Sequence, residues 1–289
     1  MKAMVLGAGG MLGSDLVPIW RKSMEVSAFT HHQCDVSDIT AVNAAVERDR
    51  PDIVLMLAAA TDVDRCQTDH EYAFRTNSTG TEIVAQACSR WKASMVYISS
   101  IAVFSGEKDS PYNEYDMPSP CNVYGLSKLH GEMAVRTFCP RHWIVRTGWL
   151  FGGGEKDMKF VARILRKISS DDKIRVVRDC VGSPTGTMDL SRGLMELVDR
   201  FQYGTYHLVN SGVPASRYEL ARETLKTAGY PPDTVLPCLS SEFDLPAPRP
   251  KMEAAGSLKL GNSKNRLELA DWRDSLCQYI RGTLKALMQ

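Results

Sequence analysis

The chain has 289 residues, 44% of them hydrophobic, and 35 Lys plus Arg against 34 Asp plus Glu give a net charge of +1. That length supports one large domain or two smaller ones, and the balanced charge gives no reason to expect nucleic acid or a membrane surface as partner. Eight scattered cysteines without a C-x-x-C pair, no apolar run near 18 residues and no signal-peptide pattern argue against a metal site and a membrane span, and favour a reduced, cytoplasmic setting.

The elements alternate from the start. KAMVL (2–6) reads as a strand, GAGGMLG (7–13) as a Gly-rich turn, and SDLVPIW continues as an amphipathic helix. MEVSAFT (24–30) is a second strand, and DVSDITAVNAAVER (35–48) a helix opened by an Asp or Ser cap. The nearly unbroken apolar run DIVLMLAAA (52–60) predicts a strand buried on both faces of a parallel sheet. A long helix over 71–91, a strand over 95–104, a helix from Ser127 to Phe138 and a strand over 142–152 follow. This alternation predicts an α/β fold, a Rossmann-type doubly wound parallel sheet. We expect a dinucleotide-binding domain over 1–150 and a smaller C-terminal substrate domain over 151–289, with segments interleaved around an approximate boundary.

The turn after the first strand carries Gly7, Gly9, Gly10 and Gly13, which fit G-x-x-G-x-x-G and, less fully, G-x-G-x-x-G. Gly7 suits the tight turn, Gly10 lets backbone approach a pyrophosphate, and Gly13 lets helix and strand pack closely. The helix N-terminus offers unpaired N–H groups to the phosphates. At the end of the second strand, SAFTHHQ (27–33) has no carboxylate to repel a 2′-phosphate. His31 and His32 are candidates to receive one, or are simply exposed loop residues, and Asp35 is a candidate for the adenine side. NADPH is therefore the expected cofactor, with NADH open.

In NVYGLSKLHGE (122–132), Tyr124 and Lys128 stand four apart at the start of a helix, and so on one face. Reduction of a carbonyl by a nicotinamide requires a proton for the oxygen. A phenol titrates near 10, and a neighbouring ammonium would lower that value toward working pH. A hydroxyl to hold the carbonyl is expected at a strand end, and YISS supplies Ser99 and Ser100. A Y-x-x-x-K pair alone is common on helix surfaces; the Gly turn and the serine-ended strand beside it make chance improbable.

With these blocks the chain resembles the extended short-chain dehydrogenase/reductase superfamily, and within it the dTDP-4-dehydrorhamnose reductase family. The resemblance runs through GAGGMLG, AAATDVDRCQTDHEYAFRTNSTG (58–80), YISSIAVFSG (97–106), YNEYDMPSPCNVYGLSKLHGE (112–132), RTGWLFG (146–152), VGSPTGTMDL (181–190) and RPKMEAAGSLKL (249–260). It implies NAD(P)H-dependent reduction of the 4-keto group of a nucleotide-linked 6-deoxy sugar, with a homodimer among the assemblies open to it. Ser100 would hold the carbonyl, Tyr124 would be the acid and Lys128 its support. Gly7, Gly10, Met11, Leu12, Gly13, His31, Asp35, Val36, Ala58, Ala59, Ala60 and Asn77 would touch the cofactor, as would Tyr124 and Lys128. Thr61, Val63, Asp64, Ile101, Ala102 and Arg249 would line the substrate site, and Trp149 would stack on the sugar ring.

Two alternatives stand beside this reading: a sugar-nucleotide 4-epimerase, and a non-catalytic dinucleotide-binding protein like the regulatory beta subunit of methionine adenosyltransferase. A 4,6-dehydratase is disfavoured, because Ile101 and Ala102 follow Ser100 where that chemistry needs carboxylates. The family's S-T-D-Y-V-F is here Ser99 to Phe104, and its R-P-R-x-S-x-L is here Arg249 to Ala255. Loss of an acid and a phenol from the sugar pocket would weaken selection for the rhamnose precursor.

Overall fold

The computed structural model describes residues 1–168, 173–261 and 265–284. Its first half alternates strands and helices: β1 (Lys2–Leu6), α1 (Met11–Trp20), β2 (Glu25–Phe29), α2 (Ile39–Asp49), β3 (Ile53–Met56), α3 (Val63–Thr68), α4 (His70–Phe74), α5 (Thr81–Arg90), β4 (Ser94–Ser100), α6 (Val123–Phe138) and β5 (His142–Thr147). A six-stranded parallel sheet runs Gly204–His207, β5, β4, β3, β1, β2. Side chains alternate across it. Ala3, Val5, Ile53, Leu55 and Val96 pack into the core on one face, while Met4, Leu6, Val54, Met56, Met95 and Tyr97 pack into the core on the other. Both faces are covered, which is why the central strands read as unbroken apolar runs.

Several boundaries differ from the sequence reading. The strand expected over 52–60 ends at Met56, and the small residues Ala58 to Ala60 leave the sheet to pass the Gly turn. The strand expected over 95–104 ends at Ser100, whose hydroxyl accepts from Ala102 N (3.1 Å) and opens a single 3-10 turn, Ile101–Val103. The helix expected over 71–91 contains a π-helical stretch, Arg75–Gly80, between α4 and α5. Helix α2 begins later than 35, where Asp38 caps Thr40 N and Ala41 N. Helix α6 begins before Ser127, capped by the Asn122 side chain. The strand expected over 142–152 is two pieces: β5 joins the main sheet, while Leu150–Phe151 pairs with Thr185–Gly186.

Past residue 151 the chain builds small ladders, one of them the order Ala215–Ser216, Val181–Gly182, Met252–Glu253. It also returns to the first half. Helix Thr187–Arg200 packs on α1, with Trp20 Nε1 donating to Ser191 O at 3.0 Å, and strand Gly204–His207 extends the main sheet beside β5.

Candidate active site

The carboxyl ends of β1, β3 and β4 meet at one edge of the sheet, where ligands of doubly wound folds bind. Gly7 follows β1 with φ +87°, and a Cβ there would lie 2.5 Å from Ala58 N, so glycine is needed for both the conformation and the approach. At Gly13 a Cβ would lie 2.5 Å from Ala8 O, so α1 packs hard on the turn. Gly10 is the N-cap of α1, makes no side-chain cap, and no acid occupies the first turn. The N–H groups and the positive end of the helix dipole are therefore left for an anion, and a dinucleotide pyrophosphate fits them. Met11 is half-buried beside this turn. Leu12 corrects one expectation: its side chain is 8% exposed and packs in the sheet core, so only its backbone is available to a ligand.

Beyond β2, His31 and His32 are exposed and Val36 is buried. Asp35 accepts from Ser37 N (2.9 Å), Ser37 Oγ (2.8 Å) and Arg75 Nη2 (3.2 Å). Burial alone would raise its carboxyl; the Ser37 hydrogen bonds and the charges of His31 and Arg75 outweigh this and hold it below the usual range. His31, Arg65 and Arg75 together with Asp35, Asp69 and Glu71 line a cavity of about 330 Å³ at this end. Arg75 was not legible from the sequence, because it arrives from the π-helical stretch forty residues on.

Asn77 also departs from expectation. It is fully buried, accepts from Ala60 N (2.9 Å), and donates to Ala60 O (3.0 Å) and Ser127 Oγ (2.9 Å). Both of its N–H donors are spent and no part of the side chain reaches the surface, so it does not face a ligand. It acts as a clamp, tying the Ala58–Ala60 segment to α6.

Helix α6 lies close against the end of β4 because two glycines permit it. A Cβ at Gly125 would lie 2.0 Å from Ala102 O, and one at Gly131 would lie 2.3 Å from the Tyr97 hydroxyl. This seats Tyr124 beside Ser100. Burial pushes the Tyr124 phenol up to about 12, with hydrogen bonding to Ser100 acting the other way. Burial also pushes Lys128 down to about 7, partly offset by the Glu132 carboxylate. Lys128 is 2% exposed, and its ammonium lies 4.2 Å from the Tyr97 ring centre, a cation–π contact. The sequence reading had the ammonium lowering the phenol's pKa. In the structure desolvation dominates both groups, so the phenol holds its proton firmly and the lysine holds its proton loosely. Glu132 is itself fixed by Ser99 Oγ (2.6 Å), by Arg146 through Nε (2.8 Å) and Nη2 (2.7 Å), and by Arg136 Nη2 (2.8 Å).

On the substrate side, Thr61 is exposed, and its hydroxyl accepts from Lys159 Nζ at 2.9 Å. Burial lowers the Lys159 pKa, as does neighbouring Arg163. Val63 is half-buried, and Asp64 pairs with Arg249 Nη2 at 2.7 Å, so two expected residues from distant segments meet. Ile101 and Ala102 do not fit their expected role. They are 1% and 4% exposed; Ile101 packs with Val103, Phe104, Tyr112 and Ala255, and Ala102 O lies against Gly125. Apolar side chains at a 3-10 turn wedged under α6 are packing, not pocket lining. Trp149 is 9% exposed with φ +48°, and offers no open face for stacking on a sugar. Lys159 and Arg217 approach these residues from segments without a recognisable motif, so nothing local in the sequence marked them, while Glu253 lies in the 249–260 block but at a position where the family pattern has no acid.

The model of the RmlD substrate binding domain family matches residues 1–284. The chain is 38% identical to a dTDP-4-dehydrorhamnose reductase of Mycolicibacterium smegmatis, over 99% of this chain and 86% of that protein. A crystal structure of a dTDP-4-dehydrorhamnose reductase from Clostridium acetobutylicum superposes with a TM-score of 0.92 at 33% identity, covering 100% of both chains. One from Bacillus anthracis, solved in complex with NADP, also gives 0.92 at 32% identity, over 98% of this chain and 99% of that one. No helix among the described residues is long and apolar enough to cross a membrane.

Proposed function

Because the chain belongs to the RmlD substrate binding domain family, we propose that it reduces the 4-keto group of a nucleotide-linked 6-deoxy sugar with NADPH, as a dTDP-4-dehydrorhamnose reductase does. The observation that carries this reading is the packing of α6 on β4, which sets Tyr124 beside Ser100 at the sheet edge where the uncapped N-terminus of α1 also lies.

The Gly10–Gly13 backbone would hold the pyrophosphate, Asp35 and Val36 the adenosine, and Ala58 to Ala60 the remainder of the dinucleotide. When bound, the nicotinamide supplies a hydride to the carbonyl carbon. Tyr124, fully protonated at neutral pH, gives its hydroxyl proton to the carbonyl oxygen, while the Ser100 hydroxyl holds that oxygen in place. Lys128 is poised near neutrality in the same dry environment, so negative charge formed on the phenol favours its ammonium form. Thr61, Asp64 and Arg249 flank the entrance. Residues 1–150 together with strand Gly204–His207 serve the cofactor, and most of 151–289 serves the sugar nucleotide. The reading includes a cytoplasmic setting, in keeping with eight free cysteines, and a homodimer, which light scattering tests.

The experiment is NADPH oxidation with a dTDP-4-keto-6-deoxy sugar. Steady turnover with a 4-hydroxy product supports the reading. Tight NADPH binding without turnover on any nucleotide-linked 4-keto sugar would replace it with a non-catalytic role, and interconversion of two 4-hydroxy epimers with no net NADPH consumption would replace it with epimerisation.

A further inference from the structure

Trp149 sits in the left-handed region, a conformation that a bulky residue holds only when its surroundings impose it. Those surroundings are the three-stranded ladder. A Cβ at Gly182 would lie 2.3 Å from indole Cε2, so the ring lies flat on that strand's backbone. On the neighbouring strand the Glu253 carboxylate accepts from indole Nε1 at 2.9 Å. The guanidinium carbon of Arg217, the first residue of helix Arg217–Ala228, lies 3.5 Å from the Trp149 ring centre and 4.9 Å from that of Phe160. Two groups this close cannot share one face of the indole, so Gly182 and Arg217 cover opposite faces.

The stacking fixes the guanidinium plane but leaves its five N–H donors unspent. Arg217 makes no side-chain hydrogen bond or ion pair with any described residue. Its neighbour Arg249 is by contrast committed to Ala247 O and Asp64. Burial against the rings pushes the Arg217 pKa down to about 10, partly offset by Glu253, so it is still a cation at neutral pH. Trp149 stands two residues past Thr147, which pairs with Ser100 across the sheet, so the stack lies beside the strand end that carries the Ser100 hydroxyl.

We propose that Arg217 is a substrate-binding residue, whose guanidinium edge receives an anionic oxygen of the nucleotide sugar. Two sources share that chemistry: the diphosphate that every such substrate carries, or a carboxylate on the sugar itself. The inference rests on the proposed function and adds to it a built anion subsite, the Trp149–Arg217 stack. A charge-assisted pair of hydrogen bonds at such a site is worth about tenfold to hundredfold in affinity.

The test is calorimetric titration of dTDP, of a neutral dTDP-sugar and of a dTDP-uronate into wild type, Arg217→Gln, Arg217→Lys and Arg217→Met, with steady-state kinetics alongside. The methionine variant keeps apolar cover on Trp149 and serves if the glutamine variant does not fold. If the diphosphate is the source, dTDP affinity falls at least about tenfold in the Gln and Met variants, recovers in part in the Lys variant, and the kinetic loss is larger in KM than in kcat. If a carboxylate is the source, dTDP affinity holds and only the dTDP-uronate loses about tenfold. A folded variant lacking the guanidinium that binds all three ligands like wild type overturns the inference alone. A wild-type protein that binds none of the three overturns the proposed function with it.

Discussion

Gly125→Ala tests the packing argument without deleting any reacting group. An added Cβ would lie 2.0 Å from Ala102 O and 2.9 Å from Pro120 Cβ, where ordinary contact begins at 3.4 Å. The nearer obstacle is backbone and the other a proline ring, so no rotamer change relieves the overlap. Either the first turn of α6 or the 101–103 turn must move by about an ångström, and Tyr124 rides on one while Ser100 opens the other. A misplacement of about 1 Å between reacting groups costs on the order of 10²-fold in rate. Overpacking costs roughly 1–3 kcal/mol, offset by about 1 kcal/mol of helix propensity gained on replacing glycine. At about 2–4 °C per kcal/mol for large domains, the net loss of up to about 2 kcal/mol should lower Tm by no more than about 8 °C. NADPH binding, held at α1 and β3, should be nearly unchanged. The assay is kcat for NADPH oxidation beside a thermal melt and an NADPH titration. A variant with wild-type kcat and wild-type Tm would refute the claim that this contact sets the Tyr124–Ser100 geometry.

Tyr124→Phe should lose about 10²–10⁴-fold in kcat while keeping its NADPH affinity, since only the donated proton is removed; near-normal turnover would remove Tyr124 from the role of acid. Lys128 has a folded pKa near 7, below the ordinary 10.5, so between these values the unfolded chain binds the extra proton and the lysine's destabilising effect fades as pH rises. Lys128→Met should therefore raise Tm most at pH 6, with the advantage shrinking toward pH 10, and a pH-independent difference would contradict the burial argument. In competitive titration NADPH should bind at least as tightly as NADH, because the Arg75 guanidinium stands at this end and Asp35 is already occupied by Ser37 and Arg75. A strong NADH preference would assign Asp35 to the ribose instead.

By itself the sequence determined the α/β alternation, the doubly wound sheet, the Gly turn after the first strand and the placing of Tyr124 and Lys128 on one helix. Each of these is local: a strand buried on two faces must be apolar throughout, a phosphate-binding turn must lack Cβ atoms, and an i, i+4 pair on a helix shares a face. Tertiary structure decided what depends on the chain meeting itself. Asn77 looked like a ligand and became a clamp, because it is fully buried and Ala60 and Ser127 take both of its N–H donors. Ile101 and Ala102 looked like pocket wall and became packing, because α6 closes over them at Gly125. Trp149 looked like a free stacking surface, but Gly182 and Arg217, from segments 33 and 68 residues further along, cover it. The direction of the Tyr124 and Lys128 titrations also lay beyond the sequence. A spacing of four residues states which groups are neighbours, whereas the amount of water removed from around them is a property of the whole packed molecule, and here desolvation outweighs their proximity.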